Sequence, residues 1–212
     1  MKIKTKKHLR AESLIETIVA VTVIALGAVS VGIMVRTGLV GDELSQDRMF
    51  ATNLAKEGID AVSNIRDTNW LRYGLQNDDC WNTADGPLIN IRNCDSSLIG
   101  EGEYVLKLNL EDDFFEYILV GDPGADIFDE EYLIYECQVE DLAAGNHNIF
   151  TNPTGLPAAH TCEETTFYRK IEITYDTHFP ATAHYMTVSS EVGWTADGEQ
   201  KTLELVGEVH NY

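Results

Sequence analysis

The residue of this sequence that most invites a chemical role is an acid inside an apolar run. Glu16 follows Leu14 and Ile15 and precedes Thr17–Val35, a stretch of 19 uncharged and mostly apolar residues. A carboxylate in hydrocarbon is costly and usually pairs with something or marks a functional position. Two acidic stretches further along carry enough oxygen to be weighed as calcium loops. One is Asn77-Asp78-Asp79 with Asp85-Gly86; the other is Asp122–Glu131, with Asp122, Asp126 and Asp129 as candidate ligands. Calcium takes about six to eight oxygens. Neither stretch follows the EF-hand pattern, and solvated acidic turns are the plainer reading. No other cofactor is expected.

Four cysteines, Cys80, Cys94, Cys137 and Cys162, all follow the apolar run. An even count in an exported segment points to disulfides. Three pairings are possible; the sequential one, Cys80–Cys94 and Cys137–Cys162, closes two short loops and is preferred. The six histidines are scattered. No HExxH, CxxC, G-x-S-x-G or phosphate-binding glycine loop is present, so neither zinc catalysis nor an activated serine has support, and an enzyme is not expected.

The elements that must position these residues begin with the apolar run. At 1.5 Å per residue it rises about 28 Å, close to the ~30 Å hydrocarbon thickness of a bilayer. Five basic residues, Lys2, Lys4, Lys6, Lys7 and Arg10, precede it and outweigh lone Arg36 beyond it. The positive-inside rule therefore predicts a single-pass protein of the cytoplasmic membrane, N-terminus inside and residues 36–212 outside. A cleaved secretory signal has a shorter apolar region and a small-x-small site, which the VGIMVRTG end of this run lacks.

Charge divides along the same line. The chain of 212 residues carries 15 Lys+Arg and 35 Asp+Glu, a net −20. Residues 1–11 hold five bases and no acid, leaving ten bases against all 35 acids in the remainder, a balance of −25. So acidic a body excludes a broad electropositive surface for nucleic acid and attraction to anionic headgroups. With 44% hydrophobic and 9% aromatic residues, disorder is not expected.

After Arg36 the pattern turns amphipathic. Leu44, Ala51, Leu54, Ala55, Gly58, Val62, Ile65 and Asn69 recur mostly at spacings of three, four or seven, and no proline falls within residues 12–86. One helix from Glu12 to about Trp70 is predicted. Beyond it, period-two alternation predicts strands at Leu106–Leu110, Ile171–Tyr175, Met186–Trp194 and Leu203–Val209, with further candidates at Phe115–Val120 and Tyr132–Val139. The last three strong runs are expected to form an antiparallel meander, turning at Ala196-Asp197-Gly198. Residues 141–165 read as a long exposed loop pinned by Cys162. The fold class is α+β: a long N-terminal helix, half apolar and half amphipathic, with an antiparallel β-sheet head.

The segment Arg10-Ala11-Glu12-Ser13-Leu14-Ile15-Glu16-Thr17-Ile18-Val19-Ala20 resembles the class III signal sequence of type IV pilins and type II secretion pseudopilins. That family has a basic leader, a small residue, a hydroxyl residue before Leu-[Ile/Val]-Glu, and about twenty apolar residues, in this order. The Ser-Leu-Ile-Glu variant is similar to that of minor pilins. The match covers roughly residues 2–35.

The resemblance implies a leader of residues 1–11, cut between Ala11 and Glu12 by a membrane prepilin peptidase. Residues 12–35 would then be the transmembrane half of the helix, 36–70 its amphipathic half and 71–212 a head of the pilin α/β-roll type. Ala11 stands where the family usually has Gly, and Glu12 where it usually has Phe. The resemblance further implies methylation of the new N-terminus, with Glu16 as the family's assembly glutamate, neutralising the new α-amino group of a neighbouring subunit. Its partners would be other pilin subunits, the peptidase and an inner-membrane assembly platform, with no direct contact to nucleic acid. The chain would end in an extracellular or surface filament for adhesion, motility, uptake or secretion. The rival expectation is an uncleaved, single-pass surface protein whose head binds an external ligand.

Overall fold

The computed structural model describes residues 14–73, 80–83, 98–109, 116–121, 126–141, 145–151, 161–177 and 183–211. Its first element is one α-helix, α1 (Leu14–Tyr73), of 60 residues. The predicted start at Glu12 lies outside the described residues, and the end falls three residues beyond Trp70. The chain forms two compact units, Met1–Gln46 and Asp47–Tyr212. The first contains the apolar part of α1. The second contains the rest of the helix and all the strands.

Seven strands make one sheet: β1 (Gly102–Asn109), β2 (Glu116–Gly121), β3 (Leu133–Asp141), β4 (Gly145–Thr151), β5 (Thr161–Tyr175), β6 (Tyr185–Ala196) and β7 (Glu199–His210). All their pairings are antiparallel. The long strand β5 organises the sheet. Its residues 161–168 pair with β3 and 171–173 with β1, while 167–175 pair with β6. The order is β2-β1-β5-β3-β4, with β6 joined to β5 and β7 to β6. The predicted meander is therefore β5-β6-β7. The β6–β7 loop is the two residues Asp197 and Gly198 at φ 53° and 76°. This double left-handed conformation suits the twist of a tight hairpin and favours Asp-Gly.

One sequence expectation is overturned. Residues 141–165 are not a continuous loop: they contain β4 and the start of β5. Cys162 is not a pin under a loop but a strand residue directly opposite Cys137. The segment Gly145–Thr151 has little apolar alternation of its own and is a strand because β3 supplies its partner groups. Phe150 then packs edge-on against Phe50 of α1, with ring centroids 5.1 Å apart.

Within the second unit, the helix buries Ala51, Leu54, Ala55, Ala61 and Val62 in the core with the sheet and Asn69 against residues 81–83, close to the face expected from spacing. The core has two clusters. One joins Ala61 and Val62 to Trp81, Ile99, Leu106, Ile171, Ile173, Met186, Val188 and Val209. The other joins Ala51, Leu54 and Ala55 to Ile134, Phe167, Val192 and Trp194. Between them lies a polar layer. Arg169, fully buried, donates from Nη1 to Glu57 Oε2 at 3.1 Å and to the Leu54 carbonyl at 3.3 Å. Beside it Gly58 lets the helix approach Ser190: a Cβ there would lie 2.5 Å from Ser190 Oγ.

The segment after the helix is tied down by hydrogen bonds. Asn69 Nδ2 donates to the carbonyls of Trp81 and Thr83. The Tyr175 hydroxyl donates to the Ile99 carbonyl at 2.7 Å and accepts from Asn82 Nδ2 at 3.3 Å. Burial pushes the Tyr175 pKa far up, and burial also raises that of Tyr104 above the ordinary 10.0. A phenol whose pKa is raised on folding contributes stability that is complete below the unfolded value and lost as pH rises above it. Denaturant titration is accordingly expected to show stability level up to about pH 9 and falling beyond about pH 10. Tyr175→Phe should remove the larger part of that slope; an unchanged slope would mean that Tyr175 is not its source.

Candidate functional site: the apolar part of the helix

Glu16 lies in the first turn of α1. Free backbone N–H groups and the positive end of the helix dipole favour a carboxylate there, typically by about 0.3–1 kcal/mol when exposed. Glu16 has no ion-pair or hydrogen-bond partner among the described residues, and its side chain is exposed. Ala11 and Glu12, the expected processing residues, lie outside the described residues. Twenty positions on from Glu16, Arg36 is likewise exposed and without a partner among the described residues.

Between them the surface is apolar on every side. Leu14, Ile18, Val23, Leu26, Val31 and Met34 are between 56% and 79% exposed, and nothing among the described residues covers them. This helix is long and apolar enough to cross a membrane. Its few hydroxyls are turned onto its own backbone. Thr17 donates to the Leu14 carbonyl, Thr22 to Ile18, Ser30 to Leu26 and Thr37 to Ile33, at 2.7 to 2.9 Å. In hydrocarbon, where no water is available, polar groups must be satisfied within the segment, and these are. Such an apolar surface requires a cover of lipid or of other helices.

The structure separates the other candidates from this one. Cys137 and Cys162 form a disulfide with Cα atoms 4.1 Å apart, closing a separation of 25 residues. Restricting the unfolded chain over that loop contributes about 3 kcal/mol. Cys80 is also in a disulfide; Cys94, its expected partner, lies outside the described residues. Of the calcium candidates, Asp122 lies outside the described residues. Asp126 uses its carboxylate locally, accepting the Phe128 N–H at 3.2 Å, and its carbonyl accepts the Asp129 N–H at 2.9 Å. No group of three or more His, Cys, Asp or Glu is placed to hold a metal among the described residues.

Two charged contacts went unrecognised in the sequence. Arg169 is the inward charge described above. The alternation Phe167, Arg169, Ile171, Ile173 was the available signal, because it sets Arg169 on the buried face of β5. On the opposite face Lys170 pairs with Glu103 at 3.0 Å and Glu191 at 3.7 Å. Partial burial pulls the Lys170 pKa down, but the hydrogen bond and charge of Glu103, with Glu191 and Glu172, outweigh it and leave it raised.

No protein-family model, curated protein or solved structure matches this chain.

Proposed function

We propose that this chain is a prepilin-like structural subunit, in the manner of a minor pilin. It is inserted in the cytoplasmic membrane with its N-terminus inside, cut between Ala11 and Glu12, and assembled through α1 into a type IV pilus or a related secretion or uptake filament. One observation carries the reading: the ordered block of basic leader, Ala11, Ser13-Leu14-Ile15-Glu16 and an unbroken apolar run. Three structural features support it. Leu14-Ile15-Glu16 and the apolar run lie on a single long helix, that helix leaves its apolar part uncovered among the described residues, and its later part packs on an antiparallel sheet. The head is read as a pilin-type α/β roll on the same grounds. Other pilin subunits, a prepilin peptidase and an inner-membrane assembly platform are the partners, and the head works outside the cell.

In this scheme the five leader charges orient insertion and are then removed. Cleavage exposes an α-amino group at Glu12, and the carboxylate of a neighbour's Glu16 neutralises it where water is scarce. The pair sets subunit register more than it adds net stability. N-terminal sequencing or intact-mass measurement of chain purified from its native membranes tests the proposal. The expected mature chain begins at Glu12. A chain that keeps Met1 sinks the filament reading and leaves an uncleaved single-pass surface protein.

A further inference from the structure

Glu16 and Arg36 are the only charged residues between Leu14 and Gly41. Neither has a partner among the described residues, and the helix between them is unbroken. We infer that they are partners between two copies of this chain: the Glu16 carboxylate of one copy pairs with the Arg36 guanidinium of a second copy offset by 20 residues along the helix axis. This inference rests on the filament reading and gives its assembly a defined step.

The geometry favours that offset over the alternatives. Twenty residues at 1.5 Å correspond to about 30 Å, which is also the thickness of the hydrocarbon layer. Two copies at the same height set Glu16 beside Glu16 and Arg36 beside Arg36, which is repulsive. An antiparallel pair would match the charges, but copies inserted under the same basic leader share one orientation. A parallel pair offset by one membrane thickness remains. A copy raised by that distance brings its Glu16 to the outer boundary, where Arg36 of a copy still in the membrane sits. The carboxylate thus leaves one interface and finds a cation at the next.

The two charges also point in different directions. At 3.6 residues per turn, 20 residues advance the helix by about 200° beyond whole turns, so Glu16 and Arg36 lie on nearly opposite faces. Each copy engages one neighbour through Glu16 and a different one through Arg36. A contact between unlike faces repeats head to tail instead of closing into a dimer. A carboxylate has room for about four hydrogen bonds, so the same Glu16 can accept from a neighbour's α-amino group as well.

Thiol crosslinking of full-length chain in membranes and sheared surface fractions tests the offset. Ala20 lies one turn above Glu16, and Val40 one turn above Arg36. Ala20→Cys on one tagged copy and Val40→Cys on a second, joined by a short bismaleimide, should give a 20-to-40 product that exceeds the 20-to-20 and 40-to-40 products. Arg36→Glu should lower that product at least about tenfold, and Arg36→Lys should retain most of it. A dominant 20-to-20 product, or a yield indifferent to Arg36→Glu, overturns the pairing. The N-terminal residue of the same preparation is an independent readout. Absence of the offset product from a chain that begins at Glu12 defeats the pairing alone. A chain that keeps Met1 defeats the filament reading and, with it, the pairing that rests on it.

Discussion

Glu16→Ala is expected to leave membrane insertion unchanged and to lower the amount of chain recovered in sheared filaments at least tenfold, about 1.4 kcal/mol or more. The two outcomes separate because the carboxylate has different surroundings in the two states. In the proposed insertion it sits at the start of the apolar run, at the cytoplasmic boundary, and its removal only makes the helix more apolar. In the proposed filament it is surrounded by helices and answers a neighbour's α-amino group. A unit-charge pair about 4 Å apart in surroundings of effective dielectric near 20 is worth about 4 kcal/mol before desolvation is subtracted. Losing it also leaves an uncompensated positive charge, so a small effect is not expected. Quantitative immunoblots of membrane and sheared fractions measure both outcomes, and normal incorporation of the variant would count against the assembly role of Glu16.

The largest effect on stability is expected at the polar layer between the two core clusters. Glu57→Ala should lower the unfolding free energy of the head by about 3 kcal/mol, whereas Arg169→Met combined with Glu57→Ala should recover most of that loss. Arg169 has no exposed side-chain surface, and Glu57 keeps 28% of its own. Removing the carboxylate leaves the guanidinium with the Leu54 carbonyl as its hydrogen-bond acceptor among the described residues, because Nε and Nη2 have none there. Breaking a buried pair from one side typically costs about 3–5 kcal/mol, and the partial exposure of Glu57 sets the value at the lower end. Replacing both members removes the stranded charge, and methionine fills the space between two apolar clusters. Denaturant curves for the two single variants and the double give the coupling directly. A cost below about 1 kcal/mol for Glu57→Ala would put the pair in the class of solvent-screened surface contacts.

The elements that were legible in the sequence share one property: their own pattern determines them. The 3–4 spacing of Ala51, Leu54, Ala55, Gly58 and Val62 marks a face of α1, and the structure buries these residues. Alternation in β6 and β7 and the Asp197-Gly198 turn specify a hairpin with no help from elsewhere. Gly145–Thr151 and Thr161–Thr166 are different. They hold few apolar residues, and they are strands because β3 stands beside both. At Thr165 the pairing of β5 with β3 is also shifted by a bulge, where the Thr165 hydroxyl donates to the Ile134 carbonyl and accepts the Phe167 N–H. No periodicity reveals such a shift. Glu16 was legible because a charge stands out in an apolar run. Arg169 was not, because a charge in a mixed strand does not.

The four hydroxyls turned onto the helix backbone have a consequence for movement. A surface whose hydroxyl donors are all engaged on its own backbone loses no hydrogen bond from them when its neighbours change. Acyl chains and the side chains of another helix then solvate residues 14–40 about equally well, and a copy can exchange one for the other with little penalty along most of its length. The resistance to that exchange is concentrated at the two ends, at Glu16 and Arg36. In the proposed assembly the apolar part of α1 would therefore act as a lubricated shaft with one ionic catch at each end.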